Sequence, residues 1–426
     1  MLDIRKIRQE PDVARAKWAA RGVEVDVKAL LVLDDRRRAL ITEVEELQRS
    51  RNASSKEIGR LKKAGEDATE AMEAVRAVGE RISALEKEKE QVIADLDARM
   101  MSLPNFAHDS VPEGQSEEDN PVVRSWGEAR EMNFEALPHW DVADKLGIFE
   151  FERAAAISGA GFSCLTGPGA RLSRALISFM LDLHTTKHGY TEVAPPFLVN
   201  DDALTGTGQL PKFEEDQYRL QADGLWLIPT AEVPLTNLYR DHIFDSDALP
   251  TCLTAHTPCF RREAGAAGKM TRGMNRLHQF DKVELVQFAR PEDSYEALET
   301  LTGHAEAVLQ KLGLHYRVIE LCTGDLGFSS AKTYDIELWA PGQQAWLEVS
   351  SCSNFEDFQA RRARIRYRNE QGKPELAHTL NGSGVALPRL IVAILEQGQR
   401  EDGSVVVPEA LWPYMGGLEA LTPTEG

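Results

Sequence analysis

Two heptad-spaced stretches near the N-terminus constrain the fold of this chain more than any other feature. Both alternate four- and three-residue intervals, and they run through Leu33, Arg37, Leu40, Val44, Leu47, Arg51, Ser54, Ile58 and Leu61, then Val75, Val78, Ile82, Leu85, Lys89, Val92 and Leu96. Such spacing is typical of a coiled-coil seam. The Lys-Lys-Ala-Gly-Glu-Asp turn at 62–67 supplies a glycine to end one helix and acids to begin the next. Because so short a turn forces the helices to run antiparallel, the sequence predicts a projecting hairpin over about residues 28–100, each helix roughly 50 Å long.

The far half of this predicted hairpin is positively charged, although the chain as a whole is acidic. It carries Arg49, Arg51, Lys56, Arg60, Lys62 and Lys63 against only Glu57, whereas the 426-residue chain has a formal net charge of −19. Any contact with nucleic acid must therefore use a local patch. A basic face of this kind suits a phosphate backbone. A solvated coiled coil used for dimerisation or spacing would explain the same charges, and the residues alone leave both interpretations open.

Beyond residue 105 the pattern changes to strands and shorter helices. The linker at 108–121 is polar, and after it strands are predicted at 225–228, 282–288, 316–321 and 345–350, with helices at 170–188, 294–312 and 389–399. Hairpin-like connections favour an antiparallel sheet flanked by helices, which makes the fold class α+β. We therefore predict two domains, at 1–105 and 106–426.

Composition excludes several classes of protein. No apolar run approaches the roughly 20 residues that a membrane span needs, and the N-terminal residues lack the apolar core of a secretion signal. A cytoplasmic location without a membrane partner is therefore expected. The five cysteines are scattered without a Cys-x-x-Cys pair, so neither a disulfide framework nor a structural zinc site is expected.

Residues 260–288 are predicted to form two strands around a cationic loop. Arg261 and Glu263 fall on the first strand, Arg276 falls in the loop beside Arg272, and Phe280 falls on the second strand. Guanidinium groups bind phosphate oxygens in a forked geometry, and an aromatic face can stack on a base. The stretch thus suits a nucleoside triphosphate, while a surface hairpin held by ion pairs would explain the same residues.

Three further stretches carry candidate chemistry. In Thr-Ala-Glu at 230–232 a carboxylate could bind an ammonium group, and a hydroxyl could add a hydrogen bond. A helix N-cap followed by an acidic residue would explain the same tripeptide. Glu348 precedes Val-Ser-Ser at the end of a strand, where a carboxylate near phosphates would act chiefly through Mg²⁺. Residues 379–389 hold two glycines that permit close backbone approach, with Pro388 at the first helical position and Arg389 within reach of phosphate.

Taken in chain order, these stretches resemble the motifs of class II aminoacyl-tRNA synthetases. Their residues are most similar to those of the seryl-tRNA synthetases. Residues 255–288 resemble motif 2 and residues 379–399 resemble motif 3, although many relatives have Gly-Arg where this chain has Pro388-Arg389. Residues 171–198, which end near Pro196, resemble motif 1, which builds the dimer interface of the class. The resemblance spans nearly the whole chain, hairpin included.

The resemblance implies an enzyme that activates L-serine with ATP and Mg²⁺ to seryl-adenylate. A homodimer would then transfer serine to the 3′ end of tRNA(Ser), and of tRNA(Sec) where that tRNA exists. It implies serine contacts at Thr230, Ala231, Glu232, Glu284, Asn381 and Ser383, and ATP contacts at Arg261, Arg262, Glu263, Leu277, Phe280, Glu348, Val349, Ser350, Ser351 and Arg389. Arg261 and Arg389 would stabilise developing charge without a covalent nucleophile, and Glu348 is the candidate Mg²⁺ ligand. The basic hairpin residues would contact the long variable stem of the tRNA.

Two other classes of function stay open at this point. One is a synthetase-like ligase that loads an acceptor other than tRNA, but such relatives are expected to lack the long hairpin. The other is a non-catalytic paralogue that keeps the fold. The presence of Arg261, Glu263, Glu284, Glu348 and Arg389 counts against the second class.

Overall fold

The computed structural model describes residues 1–264 and 272–423. Residues 265–271, which include part of the predicted motif 2 loop, lie outside the described residues. The chain divides into two compact units. One comprises Leu2–Ala19 and Val23–Leu103, and the other comprises Met1, Ala20–Gly22 and the chain from Pro104 onward.

Helices and strands are numbered in chain order. The α-helices are α1 Ile4–Gln9, α2 Pro11–Ala20, α3 Val27–Ala64, α4 Thr69–Met101, α5 His139–Leu146, α6 Phe151–Ser158, α7 Gly167–Lys187, α8 Asp201–Thr207, α9 Glu232–Asn237, α10 Ser294–Leu312, α11 Phe358–Ala363, α12 Leu387–Gly398 and α13 Trp412–Met415. The strands are β1 Val122–Trp126, β2 Thr191–Glu192, β3 Leu198–Val199, β4 Arg219–Leu220, β5 Leu225–Leu227, β6 Ile243–Phe244, β7 Thr251–Phe260, β8 Gln279–Ala289, β9 Tyr316–Glu320, β10 Lys332–Ala340, β11 Ala345–Asn354, β12 Arg366–Arg368, β13 Pro374–Leu376, β14 His378–Ala386, β15 Val405–Val406 and β16 Ala420–Leu421.

The N-terminal unit is built on the antiparallel hairpin of α3 and α4, which confirms the predicted coiled-coil arm. Leu40, Val44 and Leu85 are buried between the two helices. Gly65 ends α3 in the left-handed conformation, and its backbone N–H donates to the carbonyls of the last helical turn. One buried polar residue of α3 was not predicted: Asp34 is fully buried and pairs with Arg8 of α1 at 2.6 Å and with Arg37. A buried carboxylate of this kind needs paired cations to offset its lost hydration.

The second unit contains an eight-stranded sheet in the order β1-β9-β10-β11-β14-β8-β7-β2. Its neighbouring strands pair antiparallel except β2 with β7, which pair parallel. This matches the predicted α+β class. One sheet face packs on α7, α10 and α12 to form the main hydrophobic core, to which Val283 and Leu285 of β8 belong. The opposite face packs on a smaller apolar cluster that includes Val286 and Ala360.

Two local predictions were wrong, and one strand was not predicted. Strand β7 ends at Phe260, so Arg261 and Glu263 follow it: the Arg262 backbone N–H donates to the Asp216 carbonyl instead of continuing the ladder. The two glycines of residues 379–389 lie inside β14, a strand that was not predicted and that has an irregular register between Ser383 and Val385. Pro388 occupies the second position of α12 because Leu387 already belongs to the helix.

Within residues 1–264 and 272–423, no helix combines the length and the apolarity that crossing a membrane requires. The five cysteines, which all lie within those residues, are free thiols.

Candidate functional site

A cavity of about 480 Å³ opens on the face of the sheet away from the main core. Strands β8, β11 and β14, the residues after β7 and the start of α12 supply most of its wall. The predicted site residues that line it are Thr230, Glu232, Arg261, Glu263, Leu277, Phe280, Glu348, Val349, Ser351, Asn381, Ser383 and Arg389. The structure therefore brings together, from four separate stretches of sequence, the side chains that were assigned to two ligands.

The inner end of the cavity is a network of buried polar side chains. Asn381 Nδ2 donates to Glu232 Oε2 at 3.1 Å and to Glu284 Oε1 at 2.9 Å. Thr230 Oγ1 donates to Glu284 Oε2 at 3.2 Å and accepts from Lys282 Nζ at 2.9 Å, and Lys282 also pairs with Glu284. Buried polar networks of this kind fix one arrangement of side chains when every member has a partner.

Glu232 is a buried carboxyl group beside a second one. Burial and the neighbouring Glu284 charge raise the pKa of Glu232 to about 7, although the Gln359 amide, which donates to Glu232 Oε1 at 2.6 Å, opposes the rise. Ionising a buried carboxyl group costs free energy when the group is alone, and a nearby cation offsets that cost. The inner end is therefore suited to an ammonium group.

The middle and outer parts of the cavity carry guanidinium groups held by fixed partners. Arg261 Nε donates to the Pro229 carbonyl at 3.3 Å, and its guanidinium lies over the Phe280 ring with 5.3 Å to the centroid. Arg389 Nη1 donates to the Glu348 carbonyl at 2.6 Å and Nε donates to the Asn275 carbonyl at 3.3 Å. Backbone oxygens hold both guanidinium groups in place without neutralising their charge, although the Glu348 carboxylate, 3.6 Å from Arg389 Nη1, partly offsets the charge of Arg389.

Glu348, the candidate metal ligand, lies at the cavity wall beside a hydroxyl group and a guanidinium group. Its side chain is 48% exposed, lines the cavity with Ser351, and has its Oε2 atom 3.6 Å from Arg389 Nη1. Within the described residues, no group of three or more histidine, cysteine, aspartate or glutamate side chains could hold a metal ion. These oxygens fit an ion such as Mg²⁺, which takes one or two protein ligands and completes its shell with phosphate and water.

Four predicted residues, all within the described ranges, stand off the cavity wall: Ala231, Arg262, Glu284 and Ser350. Glu284 lies directly beneath the wall and acts on it through Thr230 and Asn381. Ser350 Oγ donates to the Ser383 carbonyl at 2.6 Å, so it supports the strand that carries Ser383. Ala231 is fully buried and the Arg262 side chain is exposed, so their assignment to the ligands stays a prediction.

The basic residues assigned to the hairpin lie on its far half in the N-terminal unit. Lys56, Lys62 and Lys63 are exposed. Arg60 is held by Glu57 at 2.7 Å, and Arg49 lies 3.2 Å from Glu45. Two of the six charges are therefore partly neutralised by neighbours on their own helix.

Several wall residues were not predicted. Lys282 could have been found, since it lies two residues before Glu284 in one strand and so shares its face. Phe213 and the Gly327–Ser330 segment gave no local signal, because tertiary structure alone brings them to the cavity. Arg21 gave no local signal either. It lies outside the wall, but its buried guanidinium donates to the Leu326 and Gly327 carbonyls at 2.7 Å and so holds the Gly327–Ser330 segment in place.

Two known sequence families match two separate parts of the chain. Residues 1–107 match the seryl-tRNA synthetase N-terminal domain. Residues 212–398 match the tRNA synthetase class II core domain of the glycine, histidine, proline, serine and threonine enzymes.

Individual relatives extend the similarity to the full length. Serine–tRNA ligases from Pelotomaculum thermopropionicum and Magnetococcus marinus are each 55% identical to the chain, over 99% of its length and 100% of theirs. Among solved structures, the seryl-tRNA synthetase of Pyrococcus horikoshii, crystallised with ATP, superposes with a TM-score of 0.94 at 40% identity and covers 100% of both chains.

Proposed function

The chain belongs to the seryl-tRNA synthetase family, and we propose that the cavity at β8, β11, β14 and α12 is where it joins L-serine to ATP. The chain is an ATP-dependent serine–tRNA ligase. In this reaction serine and ATP give seryl-adenylate and pyrophosphate, and a terminal ribose hydroxyl of the tRNA then takes the seryl group and releases AMP. The site proposal is carried by one observation: a buried carboxyl group suited to an ammonium and two held guanidinium groups line the same 480 Å³ cavity.

Serine binds at the inner end. Its ammonium group pairs with Glu232, which is then ionised, and its hydroxyl finds hydrogen-bond partners among Thr230, Asn381 and Ser383. Glu284 holds two of those partners in place, which supports its assignment to the serine site. A pocket that hydrogen-bonds a hydroxyl disfavours alanine and glycine because its buried polar groups are left unpaired, and threonine is excluded by its extra methyl group.

ATP occupies the middle and outer parts. As the serine carboxylate attacks the α-phosphorus, negative charge grows on the phosphate oxygens, and Arg261 and Arg389 stabilise it from fixed positions. Phe280 offers a ring face to the adenine base, with Leu277 nearby. Mg²⁺ held through Glu348 and the phosphates would neutralise charge on the departing pyrophosphate.

The N-terminal unit, residues 1–105 in our assignment, binds tRNA through the basic far half of its hairpin. Contacts with phosphates and shape, as expected for duplex RNA, would serve tRNA(Ser) and also tRNA(Sec) where it carries a comparable stem. The catalytic domain then comprises residues 106–426. Free thiols are expected in the reducing cytoplasm, which is the location that we propose.

We also propose that the enzyme acts as a homodimer. The last two residues of the motif 1 resemblance, Phe197 and Leu198, are apolar yet 42% and 39% exposed. Exposed apolar residues that adjoin one another are typical of interfaces. Light scattering at micromolar concentration should give twice the chain mass, and a monomer would contradict the proposal.

ATP–pyrophosphate exchange with each of the twenty amino acids tests the site directly. We expect exchange with serine, and loss of that exchange when Arg389 or Glu232 is replaced. The ligase with another acceptor and the inert paralogue, which the sequence left open, are not favoured by the full-length similarity. Unchanged exchange in both variants would show that serine and ATP meet elsewhere.

A further inference from the structure

A buried carboxyl–imidazole pair lies behind the outer part of the cavity. Glu396 of α12 and His139, the first residue of α5, both have fully buried side chains, and their Oε1 and Nδ1 atoms are 3.1 Å apart. The two Glu396 oxygens also accept from the backbone N–H groups of His139, Gly342 and Gln343, at 2.9, 2.9 and 3.2 Å. A carboxylate with this many donors is fixed in position, because each donor constrains its orientation.

The other ring nitrogen of His139 holds the backbone of the motif 2 segment. The Met274 backbone N–H donates to His139 Nε2 at 3.0 Å. Since Nε2 accepts, Nδ1 carries the proton and donates to Glu396, so the carboxylate selects the tautomer. Gly273, at φ +71°, makes the approach possible, because a Cβ there would lie 2.1 Å from Nε2.

A second arm of the same network reaches the next residue. Gln343 Nε2 donates to Glu396 Oε1 at 2.8 Å, and Gln343 Oε1 accepts from Asn275 Nδ2 at 2.7 Å. The Asn275 carbonyl in turn accepts from Arg389 Nε at 3.3 Å. Glu396 therefore fixes two consecutive residues of the cavity wall, and one of them holds a guanidinium that faces the cavity.

We propose that His139 and Glu396 are positioning residues for the nucleotide half of the reaction. They hold Met274 and Asn275 so that Arg389 and the following Arg276 and Leu277 stand ready for ATP before it binds. The inference rests on the proposed assignment of this part of the cavity to ATP. Preorganised contacts of this kind lower the cost of binding, and displacing them by about 1 Å weakens it severely.

Two substitutions of His139 separate positioning from bulk stability. His139→Gln can place an amide oxygen where Nε2 lies and accept from Met274, whereas the shorter side chain of His139→Asn cannot reach. In serine-dependent ATP–pyrophosphate exchange we expect H139N to raise KM for ATP about tenfold while KM for serine stays within about twofold. H139Q should restore KM for ATP to within about threefold of the parent enzyme.

A substitution at another residue covers the case in which H139N fails to fold. Gln343→Met removes the arm to Asn275 and leaves the carboxyl–imidazole pair intact, so it should raise KM for ATP about threefold, again without a change for serine. R389A serves as the reference for the ATP assignment. If R389A leaves exchange unchanged, the assignment of the cavity fails; if R389A abolishes exchange, the positioning inference is judged on its own variants.

Two results would overturn the positioning inference itself. One is a parent-like KM for ATP in a folded H139N, or in Q343M when H139N does not fold. The other is an equal rise of both KM values in H139N that H139Q does not reverse, since a general loosening of the structure would produce it.

Discussion

The inner end of the cavity and the far half of the hairpin both present charge to a ligand, but they hold it in different ways. Glu232 is buried and its oxygens accept from Gln359 and Asn381, whereas Lys56 and Lys62 of the hairpin are exposed. A buried charge acts at short range in a medium of low polarity, and an exposed charge is screened by salt. The cavity is thus suited to selecting and activating a small molecule, and the hairpin to holding a large anion.

The largest effect should come from Arg389. Replacing it with alanine removes a guanidinium that is fixed by two backbone carbonyls beside the proposed α-phosphate position. We expect kcat for serine-dependent exchange to fall by about 10²–10³-fold, as it does when one preorganised charge-stabilising group is removed. Arg389→Lys should recover only part of this loss, because one nitrogen replaces the separate Nε and Nη1 atoms that reach the two carbonyls. If R389A catalysed exchange at the parent rate, the fixed guanidinium of Arg389 would not be what distinguishes the cavity from the hairpin.

The next largest effect should come from Glu232. Glu232→Gln keeps the shape and removes the charge that would pair with the serine ammonium. KM for serine is expected to rise about 100-fold with KM for ATP little changed, because an ammonium would be left buried without a counter-charge. Steady-state exchange at varied serine and ATP measures both constants. Equal changes in the two constants would contradict the division of the cavity into an inner and an outer half.

The same substitution should stabilise the fold. The pKa of Glu232 is raised to about 7 in the folded chain, chiefly by burial, so its stabilising contribution is complete below its unfolded pKa and is lost as pH rises toward 7. At pH 8, E232Q should therefore be more stable than the parent by about 3 kcal/mol, with a much smaller difference at pH 4.5. Urea unfolding at both values gives the comparison, and Glu128→Gln, at an exposed position, is the control. A gain that is equal at both pH values would mean that burial of the charge is not its source.

The two regions also differ in how far the sequence predicted them. The hairpin is a periodic structure in which each seam position repeats the same local environment, so heptad spacing and one glycine were enough. Strands β5, β8, β9 and β11 and helices α7, α10 and α12 were likewise predicted, but the limits of β7 and the whole of β14, which holds Gly382 and Gly384, were not. Those features depend on where backbone donors find partners, as when Arg262 turns to the Asp216 carbonyl.

Residues of the cavity wall were predicted only where they belong to stretches that resemble family motifs. Thr230, Glu232, Arg261 and Arg389 belong to such stretches. Gln359 contacts Glu232 from a short helix, and Arg21 acts on the wall through the Gly327–Ser330 segment. No local pattern marks these two side chains, because their role arises from positions that are distant in sequence.

A smaller and different effect is expected at the hairpin. Neutralising Arg49, Arg51, Lys56 and Arg60 together should lower kcat/KM for tRNA about tenfold at moderate salt and leave serine-dependent exchange unchanged. The slope of log affinity against log salt concentration should also become shallower by about 1 for each phosphate that the hairpin no longer neutralises. Filter binding at several salt concentrations and exchange on the same preparations provide the two measurements. Equal loss of both activities would contradict the separation of roles between the two units.

The smallest effect should distinguish single charges within the hairpin. Arg60 is held by Glu57 at 2.7 Å, whereas Lys56 has no ion-pair partner among the residues that the structure describes. Because a paired guanidinium presents less net charge to a phosphate, Lys56→Ala should weaken tRNA binding about twofold more than Arg60→Ala. Glu57→Gln, which releases Arg60, should strengthen binding slightly at low salt. If R60A proves the more damaging change, the pair with Glu57 must open on binding, and the exposed hairpin would then resemble the cavity in depending on one well-placed guanidinium.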